Sequence, residues 1–202
     1  MIGILNYGLG NIKAFENIYR KNHVPVKIVS QEADLSGVER LILPGVGAFD
    51  HAMLRFNESG LRSAVEEMVL IQKVPVIGIC VGMQMLFSSS VESPGAAGLA
   101  VIHGTVELIE GNVRRPQMQW NELHVENEDP LFAGLPKTPW VYFVHSYSAV
   151  PTDSSVVVAT CEYGRNLTAV VRQENVVATQ FHPEKSAKDG LKLLHNFVSS
   201  CS

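Results

Sequence analysis

One segment constrains the fold more than any other: Val74-Pro75-Val76-Ile77-Gly78-Ile79-Cys80-Val81-Gly82, followed by Met83-Gln84-Met85-Leu86-Phe87. A short unbroken apolar run enters a Gly-x-Cys-x-Gly turn, and a helix-like run leaves it. A strand that is apolar at every position is buried on both faces, as in parallel sheets covered by helices. A sharp strand-to-helix turn forces the side chain at its apex outward, and glycines two residues either side let the neighbouring backbone pack close. The apex thiol then sits at a helix N-terminus, whose partial positive charge favours the thiolate.

The rest of the first half repeats this alternation. Residues 2–5 form an apolar run, Asn6-Tyr7-Gly8-Leu9-Gly10-Asn11 reads as a turn, and residues 12–22 place Ala14, Phe15, Ile18 and Tyr19 at helical spacing. Residues 24–29 and 40–43 read as further strands, the latter broken by Pro44-Gly45-Val46-Gly47. A long helix is expected over residues 49–71, and a fourth strand over 75–79. Alternation of strand and helix predicts an α/β three-layer sandwich with a mainly parallel central sheet flanked by helices. The second half predicts strands at 101–109, 141–150, 155–161, 167–172 and 176–181, with antiparallel hairpins among them. A closing helix at 185–199 puts Leu191, Leu194 and Val198 on one face. No linker or repeat divides residues 1–202, which read as a single domain.

Composition narrows the function classes. The chain has 202 residues, a formal net charge of −4 and no basic block, so nucleic acid is not expected as a partner. No run of about 18 apolar residues is present, so no membrane-spanning helix is expected. The first residues lack a basic region and a cleavage site, so they do not read as a signal peptide. Three widely spaced cysteines, Cys80, Cys161 and Cys201, indicate no disulfide framework and favour a reducing cytoplasm. The seven histidines form no metal-ligand spacing, so no metal is expected. Gly8-Leu9-Gly10 resembles the start of a dinucleotide loop, but Lys13 stands where the third glycine belongs. No Walker loop is present, and no cofactor is expected.

A cysteine nucleophile needs a base. His182 follows the apolar run Val176-Val177-Ala178-Thr179-Gln180, within Phe181-His182-Pro183-Glu184. Pro183 biases His182 toward extended backbone, where positions i and i+2 share a face. Glu184 can then reach His182, fix its tautomer and stabilise the imidazolium. Cys80, His182 and Glu184 thus form a candidate Cys-His-Glu set. The amide of Val81 is a natural oxyanion donor, and the loop Pro44-Gly45-Val46-Gly47 can supply a second. Trp120 and Trp140 read as packing or interface residues.

These residues resemble the class I (triad) glutamine amidotransferases. Asn6-Tyr7-Gly8-Leu9-Gly10-Asn11, Pro44-Gly45-Val46-Gly47-Ala48-Phe49, Tyr142-Phe143-Val144-His145-Ser146-Tyr147 and Glu184-Lys185-Ser186 are further similar to the glutaminase subunits of imidazole glycerol phosphate synthases. The resemblance runs the whole chain and implies a flavodoxin-like fold and hydrolysis of L-glutamine to glutamate and ammonia. It implies that Cys80 forms a glutamyl thioester, that His182 moves the proton, and that Glu184 orients it. Val81, Val46 and Gly47 would form the oxyanion hole, and Gln84, His145, Ser146 and Tyr147 would surround the bound glutamine. The partner implied is a (β/α)8-barrel synthase subunit, joined as a heterodimer and fed with ammonia through a channel. Trp120, Asn121, Tyr142 and Lys185 are interface or gate candidates on the same ground.

One segment departs from the pattern. The family usually carries His-Met-Gly-Trp-Asn on the side facing the synthase, and this chain has Gln117-Met118-Gln119-Trp120-Asn121. The catalytic set is untouched by that change, whereas partner identity stays open. A related glutaminase that amidates a surface-polysaccharide sugar, a silent regulatory scaffold and a Cys-His peptidase are the competing readings.

Overall fold

The computed structural model describes residues 1–200, and Cys201 lies outside them. Strand β1 (Ile2–Leu5) is buried at every position. Helix α1 (Ile12–Lys21) follows, with Phe15 and Tyr19 inside and Glu16 held between Lys13 and Arg20. Then come β2 (Val26–Val29), β3 (Arg40–Gly45), α2 (Phe49–Glu58) and α3 (Arg62–Glu66), which runs on into a wider π turn over Glu67–Ile71. Strand β4 (Val76–Cys80) passes directly into α4 (Val81–Met85). The second half contains β5 (Ser89–Ser90), β6 (Gly104–Leu108), β7 (Gln117–Glu122), β8 (His124–Val125), β9 (Trp140–His145), β10 (Tyr147–Pro151), β11 (Val157–Glu162), β12 (Asn166–Gln173) and β13 (Val176–Thr179). Helix α5 (Ala187–Ser200) ends the described chain.

The main sheet has the order β2-β1-β3-β4-β13-β12-β11-β8. Its first five strands are parallel, and β12, β11 and β8 continue it antiparallel. From β1 the chain steps outward to β2, and from β3 it steps the other way to β4. Right-handed crossovers in opposite directions place α1 and α2–α3 on opposite faces. Helix α1 meets α5 where Tyr19 Oη donates to the Leu194 carbonyl, and α2 packs on α4. Two small sheets, β10-β6-β5 and β7-β9, lie beside the main one.

Several expectations are corrected. Pro44 does not break β3, which continues to Gly45. The β1 ladder ends at Ile42, so one side of Pro44 has no strand partner, the edge-like setting that proline tolerates. The helix expected over residues 49–71 is interrupted at Ser59-Gly60, where Gly60 turns at φ +74. The strand expected over 141–150 is two strands parted at Ser146, and β7 runs through a polar segment that carried no strand signal. Leu191 is exposed, and α5 instead buries Leu193, Leu194 and Phe197.

Candidate active site

Cys80 is the last residue of β4 and the N-cap of α4, at φ 55 and ψ −111. A non-glycine residue held there stores roughly 1–3 kcal/mol of strain. Three glycines make the turn possible. A Cβ on Gly82 would stand 2.0 Å from the Leu43 carbonyl oxygen, and one on Gly45 would stand 2.3 Å from the Gly82 nitrogen. One on Gly78 would meet Leu86 Cδ1 at 2.8 Å and the Gly82 oxygen at 2.9 Å. Helix α4 therefore seats directly on β3 and β4.

Pairing of β13 with β4 brings the second group to the same sheet edge, with Thr179 opposite Ile79. His182 follows, and its backbone N–H donates to the Tyr142 carbonyl at 3.0 Å. Ser186 Oγ donates to the His182 carbonyl at 2.7 Å and accepts from the Tyr142 N–H at 2.9 Å, stitching this segment to β9. His182 Nδ1 lies 2.9 Å from Glu184 Oε1, and the Glu184 side chain is 1% exposed. The contact is made differently from the extended pair expected. Pro183–Lys185 is a single 3-10 turn with proline at its first position, and only His182 itself is extended. Burial disfavours the imidazolium, but hydrogen bonds to Cys80 and Glu184 and their charges outweigh it. The His182 pKa is raised to about 9.

A cavity of about 300 Å³ opens over Cys80 and His182. Val46, Gly47, Val81, Gln84, His145, Ser146 and Tyr147 all line it, so the structure brings together the candidate nucleophile, the candidate base, the oxyanion candidates and the four binding candidates. Glu184 stands behind His182, away from the cavity wall. Trp120, Asn121, Tyr142 and Lys185 do not line the cavity. Trp120 and Tyr142 form an edge-on pair with centroids 6.1 Å apart on the β7–β9 ladder, and Asn121 Nδ2 donates to the Glu162 carbonyl at 2.8 Å. Lys185 is exposed, as are Met118, Trp120 and Trp140. Gln117 is an exception in its segment: its side chain is fully buried and turned inward. Among the described residues no group of His, Cys, Asp or Glu could hold a metal ion.

Two site residues carried no motif. Gln180 is fully buried, with Nε2 3.8 Å from Cys80 Sγ and Oε1 3.2 Å from Gln84 Nε2. A lone amide closing an apolar strand was its only signal, since a buried polar side chain needs partners. Glu92 also lines the cavity, and its Oε2 accepts the Phe49 N–H at 3.0 Å. Nothing in its sequence neighbourhood marked it.

Burial, opposed in part by the Tyr147 carbonyl and reinforced by His182, lowers the His145 pKa to about 4. A histidine depressed in the folded state resists protonation there, so its contribution is fully present above its unfolded pKa of about 6.5 and is lost as pH falls toward 4. The stability of a His145→Asn variant is therefore expected to fall less steeply than the parent's over that window, as read by urea unfolding at stepped pH. Parallel slopes would count against the assignment.

Fold and site together define a cysteine amide hydrolase of α/β architecture. The family model for class-I glutamine amidotransferases matches residues 4–201. The HisH subunit of imidazole glycerol phosphate synthase from Leptospira borgpetersenii is 42% identical over 204 residues, covering 98% of this chain and all of that protein. The HisH subunit from Bdellovibrio bacteriovorus is 44% identical over 203 residues, covering 98% of each. A crystal structure described as a glutamine amidotransferase superposes with a TM-score of 0.77 at 25% identity, covering 98% of this chain and 97% of that one. The chain belongs to the class-I glutamine amidotransferases and, within them, to the HisH family.

Proposed function

We propose that this chain is the glutaminase subunit of an imidazole glycerol phosphate synthase, formed by residues 1–202 as one amidotransferase domain and working in the cytoplasm. The observation that carries the reading is the convergence of Cys80, His182, Gln84 and the 145–147 segment on one cavity, with Glu184 on the far side of the imidazole. The Cys80 thiolate adds to the side-chain amide carbon of L-glutamine. The oxyanion forms against the Val81 amide and the Val46-Gly47 turn. The His182 imidazolium protonates the departing nitrogen, ammonia leaves, and a glutamyl thioester remains. His182, now neutral, takes a proton from water, whose oxygen displaces Cys80 and releases glutamate. Glu184 holds His182 in the productive tautomer throughout. Gln84 and the 145–147 segment seat the substrate, and the Glu92 carboxylate is placed to meet its α-ammonium group.

Free ammonia is mostly ammonium near neutral pH and is then a poor nucleophile, so a sealed route to an acceptor is needed. The exposed face of Met118, Trp120, Trp140 and Tyr142 suits a (β/α)8-barrel partner. Exposed aromatic residues in one patch are typical of interface cores. Lys185 and Asn121 remain gate candidates, although Asn121 lies on the other face of β7, where it donates to the Glu162 carbonyl. The names of the relatives favour the histidine-pathway acceptor over a polysaccharide sugar.

Mixing the full chain with the barrel synthase is expected to raise glutamate release at least about fivefold, as coupling between two sites requires. Trp120→Asp is expected to abolish that stimulation without lowering basal hydrolysis. Equal stimulation of both proteins would remove this face as the docking surface.

A further inference from the structure

His145 borders the cavity, yet both its ring nitrogens are engaged within the protein. Nδ1 lies 2.8 Å from the Tyr147 carbonyl oxygen, and Nε2 lies 2.8 Å from Gln117 Oε1, with Gln117 Nε2 turned toward Cys161 Sγ at 4.0 Å. A carbonyl oxygen only accepts, so Nδ1 carries a proton. The same carbonyl uses its other lone pair for Gln84 Nε2, at 3.1 Å. With its pKa lowered to about 4, the ring is neutral near pH 7, and Nε2 is bare and accepts. Gln117 must then offer its N–H2 group to His145. A half-turn about its terminal bond exchanges amide oxygen and nitrogen, so the oxygen faces the other neighbour. That neighbour is Cys161 Sγ, 4.0 Å from the amide. Burial pushes the Cys161 thiol up to about 12, so it keeps its proton and donates. With the Gln117 amide exchanged in this way, the hydrogen bonds from Cys161 through Gln117 and His145 to Tyr147 run in one direction, with every donor matched to an acceptor.

We propose that Gln117 is a positioning residue for glutamine binding: backed by Cys161, its amide holds His145 as the neutral Nδ1–H tautomer and so clamps the Ser146-Tyr147 backbone that lines the cavity. The register supports this, because Gln117 and His145 are directly opposed in the β7–β9 ladder and their side chains share a face. The clamp also reaches Gln84, which hangs from the same Tyr147 carbonyl. The titratable groups around the chain are His182 and, beyond it, Cys80 and Glu184 on the cavity side, with Cys161 and Glu162 on the other. A protonated His145 would set a second cation near His182. The proposal rests on the cavity being the glutamine site.

Nitrogen-15 spectra of histidine-labelled full chain test it, with His145 assigned by the signal lost in His145→Asn. The expected result is a neutral Nδ1–H ring with a bare Nε2, unchanged between about pH 5.5 and 8. An Nε2–H tautomer, or an imidazolium in that range, overturns the proposal. Gln117→Glu replaces the donor with a group that only accepts near neutral pH, so His145 is expected to gain its second proton and titrate above its ordinary value of about 6.5. The KM for glutamine in glutamate release is expected to rise about tenfold, with a smaller change in kcat. A Gln117→Glu protein with His145 still neutral and KM within about twofold of the parent also overturns it. Should Gln117→Glu fail to fold, the spectra of the parent protein decide alone. They read the chain whether or not glutamine is the substrate, and absence of glutamate release from the parent would sink the functional reading instead.

Discussion

Cys80→Ser is expected to lower glutamate release by at least about a thousand-fold while the protein stays folded. The hydroxyl of serine ionises far less readily than a thiol, and His182 is set to share a proton with sulfur. Its pKa is raised to about 9 in part by Cys80 itself, so removing the thiol also detunes the base. Little stability is at stake, because the contacts of Sγ with Gln180 Nε2 and with the Val144 carbonyl are long, 3.8 Å and 4.0 Å. The backbone carries a second consequence. At φ 55 the residue is strained, and glycine relieves that strain. Cys80→Gly is therefore expected to be inactive yet more stable than the parent by about 1 kcal/mol. Denaturant midpoints beside glutamate release, with synthase present, check both halves. An active Cys80→Ser protein would remove the thioester mechanism.

Gly82→Ala is expected to be among the most damaging single methyl groups that can be added to this chain, and it acts directly under the nucleophile turn. Its Cβ would stand 2.0 Å from the Leu43 carbonyl oxygen and 2.9 Å from the Leu43 carbonyl carbon. Those atoms belong to β3, an interior strand of the sheet whose Leu43 is in register with Gly78 of β4, so they cannot retreat. The helix must lift instead, and Cys80 would lift with it. A loss of roughly 3 kcal/mol or more is expected, together with loss of activity. Gly60→Ala is the matched control. Nothing lies within 4 Å of its Cβ, and only φ +74 opposes it, so about 1 kcal/mol is expected. Urea midpoints that rank the two equally would refute the close-packing argument.

The same two positions show what could be read in advance. The Gly-x-Cys-x-Gly turn was legible because its requirements are local: an apolar strand before it, a helix after it, and no Cβ on either side. The pairing of His182 with Glu184 was legible as chemistry but not as backbone, since Pro183 opens a 3-10 turn where an extended pair was expected. The break at Ser59-Gly60 was missed because helical spacing resumes beyond it, and the periodic pattern outweighed the turn signal. Strand β7 was missed because Gln117-Met118-Gln119-Trp120-Asn121-Glu122 has no run of apolar residues, and its inner face is a buried amide.

By itself the sequence determined the candidate nucleophile, the turn that presents it, the histidine and carboxylate proposed to serve it, and the α/β class. Each of these depends on neighbours along the chain. Only the tertiary structure decided that β13 lies against β4 and so brings His182 to Cys80. It alone turned Gln180 toward Cys80, Glu92 toward the cavity and Gln117 inward to His145. The physical reason is that sheet register sets distances between residues far apart in sequence. A buried amide has no periodicity to announce it until the strand opposite is in place.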